Sequence, residues 1–143
     1  FLIFAFTLLF YLLKKMIELF KNKVSERNDV DYDWYSLLDH IYQREKGGYL
    51  EIEFQTVGLI KLFLEKQTKQ NITSLIDSEV VVALRKCKIY KEKDILLIES
   101  FFAGAEALRF SDGEITDDYH RDRYTSAKRL IRSLEENKKE AIT

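Results

Sequence analysis

The chain has 143 residues, which is room for one core of ordinary size and a short appendage, so a single domain is expected. An apolar fraction of 46% with 33% charged residues is typical of a globular protein, and a composition without proline permits long helices. The formal net charge of −1 argues against the basic field that non-specific nucleic-acid binding requires. The single cysteine, Cys87, excludes an intramolecular disulfide and a multi-cysteine metal site, and it is expected to be a small buried hydrophobe.

The sequence opens with an apolar run, Phe1 to Leu13, which carries no charge and lacks the periodicity of an amphipathic helix. As a helix this run would rise about 20 Å, which is less than the ~30 Å hydrocarbon core of a bilayer. Because the first residue is not methionine, we expect the sequence to be cut from a longer apolar segment, which Met16 to Phe20 extend as an interfacial stub. Residues 1–20 are therefore predicted to form a transmembrane helix with its stub. The competing interpretation, a secretory signal peptide, would place positive charge before the apolar run and a small-residue cleavage site after it.

Basic residues follow the apolar run and outnumber their acidic neighbours Glu18 and Glu26: they are Lys14, Lys15, Lys21, Lys23 and Arg27. By the positive-inside rule, this flank predicts a single-pass protein of the inner (cytoplasmic) membrane whose remaining chain lies in the cytoplasm. Residues 21–31 are polar and are predicted to be a linker, residues 32–138 a cytoplasmic helical domain, and residues 139–143 a tail.

The domain is predicted to be all-α, a small bundle of about five helices. Apolar residues between Trp34 and Tyr42 recur at spacings of three and four, which predicts the first helix. Asp33 is suited to cap its start, and Gly47 and Gly48 to end it.

Two further segments leave alternatives open. Phe54 to Leu64 is apolar and predicted to be helical, while Tyr49 to Phe54 could instead form a short extended piece. Leu75 to Cys87 keeps a helical register, but the three valines Val80 to Val82 favour a strand. We favour a helix there.

The last two helices differ in their patterns. Asp94 to Phe110 is apolar on nearly every face, which predicts the central and most buried helix. Thr116 or Asp117 is suited to cap a final helix. Its apolar face comprises Tyr124, Ala127, Leu130, Ile131 and Leu134.

The sequence contains no recognisable catalytic or metal-binding constellation. His40 and His120 lie far apart, and neither belongs to the H-x-x-x-H pair that holds zinc on a helix. Glu99 and Glu106 share a helix face, and they are expected to reach basic partners or solvent. No glycine loop for phosphate and no nucleophile motif is present. The chain is therefore predicted to be no enzyme and to hold neither metal nor cofactor.

The final helix carries dense charge opposite its apolar face. Arginines alternate there with acidic residues on a surface predicted to face solvent, and such surfaces steer and specify protein partners. The predicted partner-binding residues are Arg121, Arg123, Arg129 and Arg132.

Four stretches resemble the cytoplasmic end of BatD-like proteins of the Bat aerotolerance operons: Asn71 to Leu75, Val80 to Cys87, Ile95 to Ile98, and Glu106 to Ser111. In those proteins a helix ends in a pattern like E/D-x-x-R-F, and a loop and a terminal helix follow, as at Tyr124 to Leu134. The resemblance implies a non-catalytic interaction or scaffold subunit of a membrane assembly with von Willebrand factor A domain proteins and a MoxR-type AAA+ ATPase.

Another class of function remains as the alternative: a membrane-tethered, helix-turn-helix-like module that binds nucleic acid. Its one candidate recognition segment is the basic stretch Leu84 to Lys88. A third possibility, a membrane-tethered hydrolase, would require a polar pocket that the sequence pattern does not assemble.

Overall fold

The computed structural model describes residues 7, 10–19, 31–43, 48–111 and 115–142, the last four of them by backbone alone. Contacts divide the chain into two compact units, Phe1–Tyr32 and Asp33–Thr143. Within the described residues there are six helices and no strand, which confirms the all-α prediction.

The first unit contains helix α1, described at residue 7 and over residues 10–19. All of these side chains are exposed, and the large apolar ones between Phe10 and Leu19 are exposed by 50% to 72%. Within the described part of the chain, no helix is both long enough and apolar enough to cross a membrane. Of the predicted transmembrane segment and linker, residues 1–6, 8–9 and 20–30 lie outside the described residues.

The second unit contains the other five helices: α2 (Trp34–Gln43), α3 (Tyr49–Thr68), α4 (Asp77–Cys87), α5 (Glu92–Arg109) and α6 (Asp117–Ile142). The valines at 80–82 are helical, as we favoured, and α3 begins at Tyr49, so the extended alternative is wrong. The low helix propensity of valine costs little here, because Val80 is buried together with Leu84, one helical turn later.

Local hydrogen bonds define several helix ends. Asp33 accepts the backbone N–H of Ser36 at 3.1 Å, and Thr116 accepts that of Tyr119 at 3.2 Å, as N-caps do. In the turn after α3, the carboxylate of Glu65 accepts three hydrogen bonds of 2.8 to 2.9 Å from residues 72–73. These bonds satisfy backbone donors in a turn that leads directly into α4.

Helices α3 and α6 form the centre of the unit. They run in the same direction, because Tyr49 at the start of α3 donates to Asp117 at the start of α6, and Gln67 near the end of α3 donates to the Leu134 carbonyl at 3.5 Å. Helices α2 and α5 each contact both members of this pair, and α4 packs on α5. The core lies between α3, α5 and α6.

Two expectations about burial are wrong. The most buried helix is α3, with nine buried residues, rather than α5, with seven, although Leu50 and Phe54 of α3 and Leu96 of α5 are exposed. Cys87, expected to be buried, is half-buried, and its thiol lies 3.1 Å from the Leu84 carbonyl oxygen.

Candidate functional site

The four predicted partner-binding arginines do not share one environment. Arg121, Arg129 and Arg132 are exposed on α6, as expected. Arg123 is only 6% exposed, so the expectation that it faces solvent is wrong. Three of the arginines therefore belong to the surface of α6, and Arg123 belongs to the core.

Arg123 joins the three central helices through its guanidinium group. Its Nε donates to Glu53 of α3 at 2.9 Å, its Nη2 donates to the same carboxylate, and Nη2 also donates to the Phe101 carbonyl of α5 at 3.0 Å. The guanidinium carbon lies 4.4 Å from the centre of the Phe101 ring. A β-carbon on Gly104 would lie 2.5 Å from Nη1, so α5 needs a glycine where it meets this group. A buried charge with this many partners is a structural element of the core.

The sequence contained a signal for this burial. Arg123 precedes Ala127 by four residues and Leu130 by seven, so it lies on the apolar face of α6 and not on its charged face. Glu53 likewise lies between Ile52 and Thr56, which are buried positions of α3. An acidic residue on the apolar face of one helix and a basic residue on the apolar face of another are typical of a buried ion pair.

The exposed arginines belong to a mixed-charge face of α6. Asp118, Asp122, Arg129, Arg132 and Glu136 follow one another at spacings of three, four and seven, so they lie along one side of the helix. No ion pair of Arg129 or Arg132 occurs within the described residues. Arg132 interacts with the hydroxyl of Tyr35 on α2, and both guanidinium groups remain exposed to solvent.

A second feature is an open cleft between the end of α2 and the start of α6. Its volume is ≈370 Å³, and its lining comprises Asp39, Tyr42, Gln43, Asp117, His120, Arg121 and Tyr124. The rings of Tyr42 and Tyr49 stack on His120 at centroid distances of 4.6 and 4.4 Å. Tyr124 meets Tyr42 edge-on at 4.7 Å. The histidine therefore lies between aromatic rings from two other helices.

Two tyrosine hydroxyls at the cleft donate hydrogen bonds to carboxylates. Tyr124 donates to Asp39, and Tyr49 donates to Asp117. These bonds raise the pKa of both tyrosines, since a carboxylate acceptor favours the protonated phenol. These contacts join α2, α3 and α6 beside the cleft.

Burial dominates the ionisation of the two inner rings. It raises the pKa of Tyr42 to about 12, and the hydroxyl of that tyrosine is buried without a hydrogen-bond partner of good geometry in the described residues. Burial also lowers the pKa of His120, although the carboxylates of Glu53 and Asp117 oppose that shift.

The other residues that the sequence analysis considered do not form a further site within the described residues. Exposed Glu99 lies 3.4 Å from Arg85, which also pairs with Glu92 at 2.9 Å, so the only arginine of the proposed recognition segment is partly neutralised. His40 is exposed and lies outside the cleft. Among the described residues, no group of three or more metal-ligating side chains could hold an ion.

Comparisons with protein-family models, with curated proteins and with solved structures find no match for this chain. A function for this chain is therefore inferred from its own surface and charge.

Proposed function

We propose that this chain is a membrane-anchored interaction subunit, held at the cytoplasmic face of the inner membrane by its apolar N-terminal segment. The observation that carries the proposal is the exposure of α1. A helix whose phenylalanine, leucine, isoleucine and methionine side chains are all at least half exposed presents an apolar surface that water disfavours.

The sequence around α1 supports a lipid environment for that surface. Lys14 and Lys15 interrupt the apolar face with long side chains that can extend to the headgroups, and further basic residues follow. The described turns of α1 rise about 15 Å, half the hydrocarbon thickness, so a full span would also need the apolar residues before them.

We propose further that the second unit binds a protein through the exposed arginines of α6. Arg121, Arg129 and Arg132 are exposed cations on one helix, and charge of this kind contributes more to partner choice than to folding. By the resemblance to BatD-like proteins, the partners would be von Willebrand factor A domain proteins and a MoxR-type AAA+ ATPase. In this role the chain is a scaffold and carries out no reaction of its own.

Flotation with phospholipid vesicles tests the anchor. The full chain should float with vesicles, and the variant Leu13→Asp/Ile17→Asp should remain in the dense fraction because two carboxylates replace apolar contacts with acyl chains. A matched control is Val82→Asp/Leu96→Asp, since these side chains are 54% and 55% exposed in the second unit. Flotation of the α1 variant with wild-type yield would contradict the proposal. Resistance of the wild type to alkaline extraction would separate a spanning segment from an interfacial one.

Co-purification from solubilised membranes tests the arginine surface. Arg129→Glu/Arg132→Glu should retain the wild-type helix content and lose the partner, because exposed charges contribute little to stability. The control is Lys86→Glu/Lys93→Glu, which makes the same charge change at exposed positions of α4 and α5. Equal recovery of every partner with both variants would remove this surface from consideration.

A further inference from the structure

The C-terminal half of α2 is held to the bundle mainly by the aromatic cleft. Helix α2 has ten residues, and its buried side chains, Trp34 and Leu38, lie in its first half. Beyond Leu38, the contacts run through Asp39, which accepts from Tyr124, and through Tyr42, which stacks on His120. Loss of the stack would therefore leave the last turn of α2 with Tyr124 alone among its cleft contacts, since Tyr124 meets Tyr42 edge-on and donates to Asp39.

The ring of His120 lies close to parallel with both of its neighbours. The interplanar angle is 30° with Tyr42 of α2 and 26° with Tyr49 of α3. A single imidazole from α6 thus joins the end of α2 to the beginning of α3.

Charged groups face this imidazole from each of the three helices. Helix α2 contributes Asp39 at the cleft wall, α3 contributes Glu53, and α6 contributes Asp117 and Arg121. Glu53 is already paired with the buried guanidinium of α6, so its attraction for a second cation is reduced.

Protonation changes the energy of the stack in two opposing ways. An imidazolium between two tyrosine faces gains cation–π attraction and is drawn to Asp117. It also loses hydration on both faces, since the rings cover them, and hydration is worth more to a cation than to neutral imidazole. Burial is the larger effect here, because it keeps the pKa of His120 below its ordinary value of 6.5.

We propose that His120 is a protonation-sensitive latch: as the neutral ring it clamps the end of α2 to α3 and α6, and on protonation it releases that end and widens the cleft. The closed state binds fewer protons than the open state, so the open state gains as pH falls below the ordinary histidine value of 6.5. By linkage, full protonation of His120 raises the open-to-closed ratio by a factor equal to its acid dissociation constant in the closed state divided by that in the open state. The device is independent of the proposed arginine surface and of the membrane anchor.

The titration can be observed directly in the full chain in detergent micelles. The sequence has two histidines, so histidine-selective isotope labelling gives two imidazole signals, and His40→Gln assigns them. The His120 signal should titrate at a lower pH in the folded chain than in the same chain unfolded in urea. A midpoint at or above the unfolded value would overturn the proposal, because protonation would then tighten the stack.

The opening can be followed through the single tryptophan. Trp34 lies on α2, is 9% exposed, and meets Phe63 of α3 edge-on at 5.3 Å. Release of the last turn lets this ten-residue helix pivot at its buried first half and move Trp34 against Phe63, so the emission should shift to longer wavelength between neutral pH and pH about 5, with the midpoint of the His120 signal. The shift should persist in His40→Gln.

Two variants separate the latch from other acid effects. His120→Phe keeps a flat ring between the tyrosines and cannot be protonated, so it should remain folded and lose the pH-dependent shift. His120→Gln should lose the shift and already show the long-wavelength emission at neutral pH. Circular dichroism of each variant establishes that the bundle is folded. The same transition in His120→Phe as in the wild type would assign the pH response to another group and refute the latch.

Discussion

Replacement of the buried arginine offers the most direct test of how the bundle is held together. We expect Arg123→Met to destabilise the second unit strongly, although methionine retains much of the aliphatic stem. The change leaves the carboxylate of Glu53, itself buried, without its guanidinium partner. Arg129→Met is the matched control, because the same substitution is made on the same helix at an exposed position.

The magnitude follows from the burial of the pair. Breaking a buried ion pair from one side costs about 3–5 kcal/mol, since the remaining charge is neither hydrated nor paired. A domain of this size has a total stability of about 5–15 kcal/mol, so the variant should lose a large share of it. The control should change the free energy of unfolding by less than about 0.5 kcal/mol. The double variant Glu53→Met/Arg123→Met should recover most of the loss, because it leaves no uncompensated charge.

Urea unfolding of the full chain in detergent, followed by far-ultraviolet circular dichroism, measures these differences. The order of stability should be wild type and Arg129→Met together, then the double variant, then Arg123→Met. Equal losses for the two single variants, or a double variant no more stable than Arg123→Met, would refute the assignment of a buried, mutually dependent ion pair.

Three further changes test other parts of the same unit. Gly104→Ala should lower the free energy of unfolding by about 1–3 kcal/mol, because the new β-carbon would lie 2.5 Å from the buried guanidinium. The β-carbon of Gly58→Ala meets nothing within 4 Å, so this control should raise the free energy of unfolding by about 0.5–1 kcal/mol. Thermal melting distinguishes the two signs. Phe101→Asp should abolish cooperative melting, since a carboxylate would enter the core at several kcal/mol, while Phe54→Asp, at an exposed site, should melt like the wild type. Burial would raise the pKa of Glu65, but hydrogen bonds from the turn it caps outweigh burial and hold that pKa below 4.5. Its contribution is therefore complete above that value and lost as pH falls, so the melting difference between wild type and Glu65→Gln should shrink in acid, and a constant difference would contradict the role.

Much of the helical architecture could be read from the sequence, because helix periodicity and capping are local. Asp33 and Thr116 were identified as suitable caps and both accept the expected backbone hydrogen bonds. The helix at 77–87 followed from register in spite of its three valines. Which apolar helix is the most buried is not a local property, since it depends on how fully the neighbouring helices cover each of its faces, and this is where the expectation for α5 failed.

The candidate site likewise combines features that the sequence determines with features that depend on tertiary structure. The sequence determined that α6 is amphipathic and rich in arginine, and the position of Arg123 on its apolar stripe was a signal available without coordinates. Only the tertiary structure decided that Glu53 of α3 would meet this arginine, and that Tyr42, Tyr49 and His120 from three helices would stack. The physical reason is that these contacts join residues far apart in the chain, so their formation depends on helix packing, whereas the pattern along one helix depends only on its own residues.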